Sequence, residues 1–189
     1  LRNEHYRNSD VIPAGLSASE WVSSIIGAVT VYGENADCHS NSPDGDACDP
    51  IWSLNEYARL YNFHAVSDSR GLCPTGWHVP TDGEWTVMTD FLGGSVAGDA
   101  MKVTYGWFNG GGNASNSSGF SGLPGGLRSS SIGHIYEFTN AGSTGSWWSS
   151  SPTVYGAWSR HLSDGTSSAF PGDALVTEGY SVRCLKDTE

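Results

Sequence analysis

The chain has 189 residues, of which only 15% are charged, and its formal net charge is −11. This length fits a single domain over residues 1–189 that buries a sizeable core. An acidic chain repels phosphate backbones and anionic lipid headgroups, so we expect neither a nucleic-acid partner nor direct membrane insertion. Eight tryptophans and 25 glycines indicate an ordered core with many loops rather than a helical bundle.

The first half of the chain contains three helix-start signals and two strand patterns. Ser17–Glu20 is a capping-box pattern, and the helix after it is expected to end near Gly27. Asp49–Pro50 predicts a shorter helix. Alternating residues predict a strand over 60–66 and a short strand over 77–79. Thr81–Glu84 repeats the capping box and predicts a helix that ends at a Gly-Gly pair.

The second half of the chain has the short, turn-separated segments of a β-rich region. Strands are predicted over 120–128, 147–150, 157–162 and 180–185. Helices concentrated early and short strands late indicate an α+β domain.

The four cysteines allow three disulfide connectivities. The simplest is Cys38 with Cys48 and Cys73 with Cys184, and four reduced, buried thiols are the alternative. The sequence has no Cys-x-x-Cys pair, so a zinc site is a poor fit.

An acidic cluster lies beside the 38–48 loop. Asp44, Asp46 and Asp49 supply the oxygen ligands that a hard cation such as Ca²⁺ takes. The cluster lacks a regular loop with a closing glutamate, so we favour a solvated turn and expect no metal or other cofactor.

The segment over 152–177 is rich in Ser, Gly, Thr, Ala and Asp, with a few aromatic residues between them. Rigid rings on a small polar background resemble antibody-like binding surfaces, and this composition indicates recognition rather than catalysis. The predicted ligand contacts are Thr153, Tyr155, Ser159, His161, Ser163, Asp164, Phe170, Asp173 and Val176.

Other residues near this segment are expected to form its scaffold: Trp148, Trp158, Arg160 and Arg183. Strand alternation predicts that one of Trp147 and Trp148 points inward and the other toward the binding face. Trp21, Trp77 and Trp85 are expected in the core.

Nothing in the sequence resembles a nucleophile elbow, and we expect no enzymatic activity. His64 and His78 lie within predicted strands, so both are interpreted as structural histidines.

Several long motifs resemble the Fibrobacter succinogenes major paralogous domain. The longest is LCPTGWHVPTDGEW over 72–85, and the others lie at 60–62, 119–126, 147–150 and 180–184. The resemblance extends from about residue 1 to residue 187.

That family is similar to the formylglycine-generating-enzyme branch of the C-type lectin fold, whose helix-start motif resembles residues 79–85. The resemblance implies a compact domain with two helices, a twisted antiparallel sheet and a loop-rich face, and a Cys73–Cys184 pair. The oxidases of that branch bind copper through two active-site cysteines. The C-terminal half of this chain has only Cys184, so the oxidase chemistry is not expected.

The same branch includes variable proteins of diversity-generating retroelements, and segment 152–177 lies where their variable segment would be. The resemblance implies a ligand-binding protein on a cell surface or virion, with a protein or glycan on another cell or virus as its partner. The alternative is a cell-surface adhesion domain without diversification.

Overall fold

The computed structural model describes residues 1–35, 38, 42–130 and 137–188. Its helices are α1 (Ala18–Ser23), α2 (Pro50–Glu56), α3 (Phe63–Val66), α4 (Asp82–Phe91) and α5 (Ala97–Met101). Its strands are β1 (Val29–Val31), β2 (Arg59–Tyr61), β3 (Trp77–His78), β4 (Gly125–Arg128), β5 (Phe138–Ala141), β6 (Thr144–Pro152), β7 (Ala157–Ser163), β8 (Ala169–Ala174) and β9 (Leu185–Lys186). The described chain is α+β, as predicted.

The three predicted helix starts are confirmed. The Glu20 carboxylate accepts from the Ser17 amide at 2.9 Å, and Asp49 accepts from the amide two residues on at 2.9 Å. At α4, Thr81 and Glu84 bond each other's backbone amides reciprocally. These caps satisfy backbone donors that a helix leaves unpaired, so each one defines where its helix begins.

Helix α1 ends at Ser23 and does not continue to Gly27. A Cβ atom at Gly27 would lie 2.9 Å from the Ala65 Cα atom. This glycine therefore allows two backbone segments to approach closely, and it does not end the helix.

The predicted strand over 60–66 is wrong in its second half. Strand β2 ends at Tyr61, and Asn62 then caps α3 by accepting from the Ala65 amide at 3.0 Å. The same Asn62 oxygen accepts from the Ala28 amide at 2.9 Å. A buried asparagine bonded to two backbone amides favours the helix start over the extended chain.

In the part of the chain that the structure describes, five strands form the central sheet in the order β5-β4-β6-β7-β8, with β6, β7 and β8 antiparallel. Strand β8 is an edge strand and was not predicted. Of the strand predicted over 120–128, the structure forms only β4. Of the strand predicted over 180–185, only the last residue belongs to a strand, β9, whereas Tyr180 and Ser181 make isolated bridges.

Both tryptophans at the centre of β6 are buried, so the expectation that one faces a binding surface is wrong. Trp147 pairs with Arg160, and Trp148 pairs with Ser159 on the opposite face. Trp147 packs with Trp85 and its neighbours, whereas Trp148 packs in a second cluster. The side chains alternate as predicted, but a hydrophobic cluster covers each face of the strand.

Trp21 and Trp85 lie in the core, but Trp77 is 40% exposed, contrary to expectation. Among the described residues, its strand β3 pairs with the two-residue β9 alone, and no second layer of those residues covers the indole.

Two disulfides are present, Cys38–Cys48 and Cys73–Cys184, which confirms the simplest connectivity. The second pair joins the residues that lead into β3 and β9. Within the described ranges, no helix has the length and apolar character to cross a membrane.

Candidate functional site

Segment 152–177 contains the β6–β7 turn, all of β7 and β8, and the loop that joins them. The structure distributes its predicted contact residues over three places along the sheet: the β6–β7 turn, the middle of β7 and β8, and the opposite end of β7. Successive strand residues advance by about 3.3 Å, so the His161–Phe170 pair lies about 13 Å from the Ala157–Ala174 pair at the turn.

The β6–β7 turn is held by Thr153. Its hydroxyl accepts from the Gly156 amide at 2.9 Å and donates to the Asp173 carboxylate at 2.7 Å. Because Asp173 lies on β8, this bond ties the turn to the edge strand. The turn thereby displays two apolar side chains, Val154 and Tyr155, which are 89% and 81% exposed.

His161 lies at the centre of the middle group. The Ser159 hydroxyl donates to the Gly172 carbonyl at 3.1 Å, so it accepts from Nε2–H of His161 at 2.8 Å. The other ring nitrogen, Nδ1, then accepts from the Ser146 hydroxyl at 2.9 Å. Burial, and next the neighbouring Arg160 charge, lower the pKa of His161 to about 4. The imidazole is therefore neutral at neutral pH and fixed in one orientation.

The His161 ring supports an exposed aromatic side chain. Phe170 stacks on it with 5.4 Å between ring centroids, and Tyr180 contacts it edge-on at 5.5 Å. Phe170 remains 41% exposed. A Cβ atom at Gly172 would lie only 2.6 Å from His161 Nε2, so the position of the imidazole requires glycine there. The result is a preorganised aromatic surface on β7 and β8.

At the far end of β7, the loop is anchored by the fully buried Lys102. Its ammonium donates to the carbonyls of Ser163 (3.0 Å) and Thr166 (2.7 Å). Asp164 accepts from Asn109 at 3.3 Å. These bonds fix the loop that carries the Ser163 and Asp164 side chains.

Two predicted contacts are placed where they support the surface. Ser159 is fully buried, and Val176 packs against the core with its carbonyl accepting from the Phe63 amide at 2.9 Å. A buried hydroxyl cannot reach a ligand in this fold, so Ser159 positions His161 instead. For Val176, which is only half-buried, and for the other predicted residues, ligand contact stays a prediction.

The family model of the Fibrobacter succinogenes major domain matches residues 1–186. The chain belongs to this family. Comparison with curated proteins and with solved structures finds no match.

The scaffold of this Fibrobacter succinogenes major domain includes a nearly buried ion pair. Arg160 is 4% exposed and donates to the Asp82 carboxylate at 2.5 Å and to the Thr86 hydroxyl at 2.9 Å. Since Asp82 and Thr86 lie on α4, the pair fastens β7 to that helix. Trp148 is fully buried and Trp158 half-buried, in keeping with the scaffold role predicted for them, whereas Arg183 is exposed.

The acidic cluster of the domain serves local backbone structure. Asp46 and Asp49 each accept from a backbone amide two residues on, at 2.9 Å. In the part of the chain that the structure describes, no three histidine, cysteine or carboxylate side chains converge as metal ligands.

His78 links the capped start of α4 to the C-terminal strand. Its Nδ1 bonds Asp187 at 2.6 Å, and its Nε2 bonds Glu84 at 3.0 Å. The hydrogen bond with Asp187 is the main reason that the pKa of His78 is raised. His64 lies in α3, not in a strand.

Sequence reasoning missed several residues of the domain that complete these groups: Lys102, Ser146, Val154 and Gly172. Val154 adjoins Tyr155 in the turn, and its apolar side chain in a polar segment was an available signal. The others act through cross-strand or long-range contacts, which no local pattern indicates.

Proposed function

We propose that this domain is a binding module that recognises a macromolecule, a protein or a glycan, through the surface of segment 152–177. One observation carries the proposal: Tyr155 and Phe170 are exposed aromatic side chains on rigid supports. The Thr153–Asp173 bond holds the turn that carries the first ring, and the fixed imidazole of His161 supports the second. Rigid rings lose little conformational entropy on binding and are frequent energetic anchors of interfaces.

The spacing of the two rings favours a large ligand. About 13 Å of sheet separates the level of Phe170 from the turn. A specific protein interface buries about 800 Å² on each partner, which is enough to include both rings. A single small metabolite would not extend over both.

Two histidines favour recognition over catalysis. In the described structure, the hydrogen-bond partners of His161 are two hydroxyls and not an orienting carboxylate. Both nitrogens of His78 are bonded to carboxylates, which leaves neither for a substrate proton. Recognition by the aromatic surface requires no metal or cofactor.

The proposal includes a C-type lectin-like scaffold, display on a cell surface or virion, and diversification of segment 152–177 by a retroelement. The support is the division between buried framework residues such as Trp148 and Arg160 and exposed ones such as Val154 and Tyr155. Exposed positions tolerate replacement at small cost in stability, so this surface can vary while the fold persists.

Gene context and relatives test diversification. We expect a reverse-transcriptase gene and a near-copy of the segment next to this gene. Their absence would refute diversification by a retroelement. Relatives that differ mainly at exposed positions of 152–177 agree with it. Variation spread over all loops would favour an adhesion domain without diversification.

Binding itself is tested with printed protein and glycan arrays and a double variant, Tyr155→Ala with Phe170→Ala. Each interfacial anchor is expected to contribute about 2 kcal/mol, so the array signal should disappear. The matched control is Tyr105→Ala with Phe91→Ala, which removes the same ring types at exposed positions elsewhere. The control should bind like the wild type, and neither variant should melt much earlier. Unchanged binding by the first variant would refute the assigned surface.

A further inference from the structure

A cleft of about 540 Å³ lies away from the exposed rings of segment 152–177. It is bordered by the N-terminal residues, the end of α2 and the chain that leads into β9. Its volume is within the range of small-molecule sites, about 300–1,000 Å³. The charged and aromatic side chains that line it include Arg2, Glu56, Trp77 and Arg183.

The two arginines of this cleft differ from most others in the domain. Among the described residues, four arginines form ion pairs with carboxylates: Arg59, Arg70, Arg128 and Arg160. Within the described ranges, Arg2 and Arg183 have no carboxylate within ion-pair distance, although the chain carries a net charge of −11. Arg183 makes one long hydrogen bond, 3.4 Å to the Ser121 carbonyl. Most of its five N–H donors therefore have no partner among the described residues.

The Arg183 guanidinium is held in a defined position. It lies over the Phe120 ring at 4.6 Å, and Phe120 contacts Trp85 and Trp147 edge-on at 5.7 Å and 5.3 Å. This contact holds the donor fork of the guanidinium against the Phe120 ring before a ligand arrives. Such a fork matches a carboxylate with two parallel hydrogen bonds.

Trp77 supplies a flat apolar wall beside these donors. It is the most exposed of the eight tryptophans, at 40%. Its carbonyl accepts from Arg7 at 3.2 Å, and β3 is paired with β9, so the backbone beneath the indole is fixed. An exposed, supported ring at a cleft is suited to the apolar face of a ligand ring.

The remaining polar lining favours a hydroxylated ligand. Glu56 is half-buried, and its carboxylate is a hydrogen-bond acceptor for hydroxyl groups. Ser121 and Ser181 also line the cleft. Close to Glu56, a phosphate group with nearly two negative charges is disfavoured relative to a single carboxylate.

We propose that this cleft binds a carboxylated sugar, such as a hexuronate unit of a glycan. The carboxylate bonds the arginine fork, the ring packs on Trp77, and Glu56 and the serines take the hydroxyls. The site is separate from the surface of segment 152–177 and does not rest on the function proposed for it.

Calorimetric titration of the 189-residue chain with methyl β-D-glucuronide tests the proposal. Methyl β-D-glucoside and the methyl ester of the glucuronide keep the ring and lack the charge. We expect the glucuronide to bind at least about tenfold more tightly than either, and its binding to weaken as salt is added. Equal binding of the three sugars, or no binding at concentrations on the order of 10 mM, overturns the proposal.

Variants locate the site. Arg183→Gln and Trp77→Ala are each expected to weaken glucuronide binding by about tenfold or more. Arg70→Gln removes the same charge from an exposed arginine outside the cleft lining and should leave the binding unchanged. The double variant at Tyr155 and Phe170 should also bind the glucuronide normally, which separates this site from the other surface.

Two further results would reject the assignment. Unchanged glucuronide binding by a folded Arg183→Gln variant, judged from its melting temperature, excludes the arginine fork. Binding of an N-acetylated dipeptide with a free carboxylate, without binding of the glucuronide, would assign the cleft to peptide ends instead of sugars.

Discussion

Replacing Cys73 and Cys184 by alanine is expected to destabilise the domain more than the same replacement of Cys38 and Cys48. The two disulfides join residues 111 and 10 positions apart. A cross-link lowers the conformational entropy of the unfolded chain by an amount that grows with the logarithm of the loop length. At 25 °C this relation gives about 4.8 kcal/mol for the long loop and about 2.7 kcal/mol for the short loop.

The assay is urea unfolding followed by tryptophan fluorescence, with both alanine pairs and the wild type at equal pH and temperature. The long-loop variant should lose roughly 2 kcal/mol more free energy of unfolding than the short-loop variant. The small void that alanine leaves at Cys73, which is 2% exposed, increases that difference. Equal losses, or a larger loss for the 38–48 pair, would refute the loop-length reasoning.

Three further predictions concern the residues around segment 152–177. The pKa of His161 is lowered to about 4 in the folded state, so the unfolded chain takes up a proton first as the pH falls. The free energy of unfolding should therefore decrease as the pH drops from about 6.5 toward 4, and His161→Asn should remove that slope when denaturation is measured at several pH values. Gly172→Ala places a methyl group against the imidazole and should lower the free energy of unfolding by about 1–3 kcal/mol, measured by thermal unfolding. Gly165→Ala has open space around it and should lower that free energy much less, so equal losses would contradict the steric argument. Lys102→Met removes the ammonium hydrogen bonds to two loop carbonyls, of which the Ser163 carbonyl still accepts from the Thr166 amide at 3.4 Å, and it should cost about 1–3 kcal/mol in total, with faster hydrogen exchange over 163–168. Lys186→Met at the surface serves as the control, and a silent Lys102→Met would exclude the anchoring role.

Local chemistry explains which elements the sequence predicts well. At Ser17 the residue's own amide donates to the Glu20 carboxylate, and at Asp49 and Thr81 the side chain accepts from an amide two or three positions on. Each capping signal is therefore complete within a short stretch of sequence. The short strand at 77–79 and the strands β6 and β7 are also found in the structure. Most of their ends differ from the predicted ends, by one to three residues. The α+β class follows from their order along the chain.

Long-range contacts explain the failures. The 60–66 strand is interrupted because the Asn62 side chain bonds Ala28, 34 positions away. Strand β8 contains Pro171 and Gly172, two residue types that are depleted in strands. It is nevertheless extended because it pairs with β7 along its one inner side. Exposure of Trp77 depends on the absence of a layer over a two-stranded pair, which the residue's own hydrophobicity does not predict.

In the candidate surface, too, some features are predicted from local sequence and others depend on long-range contacts. Composition indicated segment 152–177, and Tyr155 and Phe170 are exposed there. Composition did not separate them from Ser159, which is buried beneath the same surface. Strand alternation predicts which residues share a face, but the register with β6 and β8 decides which face is covered.

The helix starts, the α+β class and the family of this domain can be predicted from contiguous residues, which carry those signals. The burial of both Trp147 and Trp148, and the packing of Phe170 on an imidazole fixed by two serines, follow from the three-dimensional fold. It also brought Arg183 and Trp77 to one cleft. The physical reason is that exposure and side-chain partners depend on which distant strands pair and pack, and each such contact joins residues that no local pattern connects.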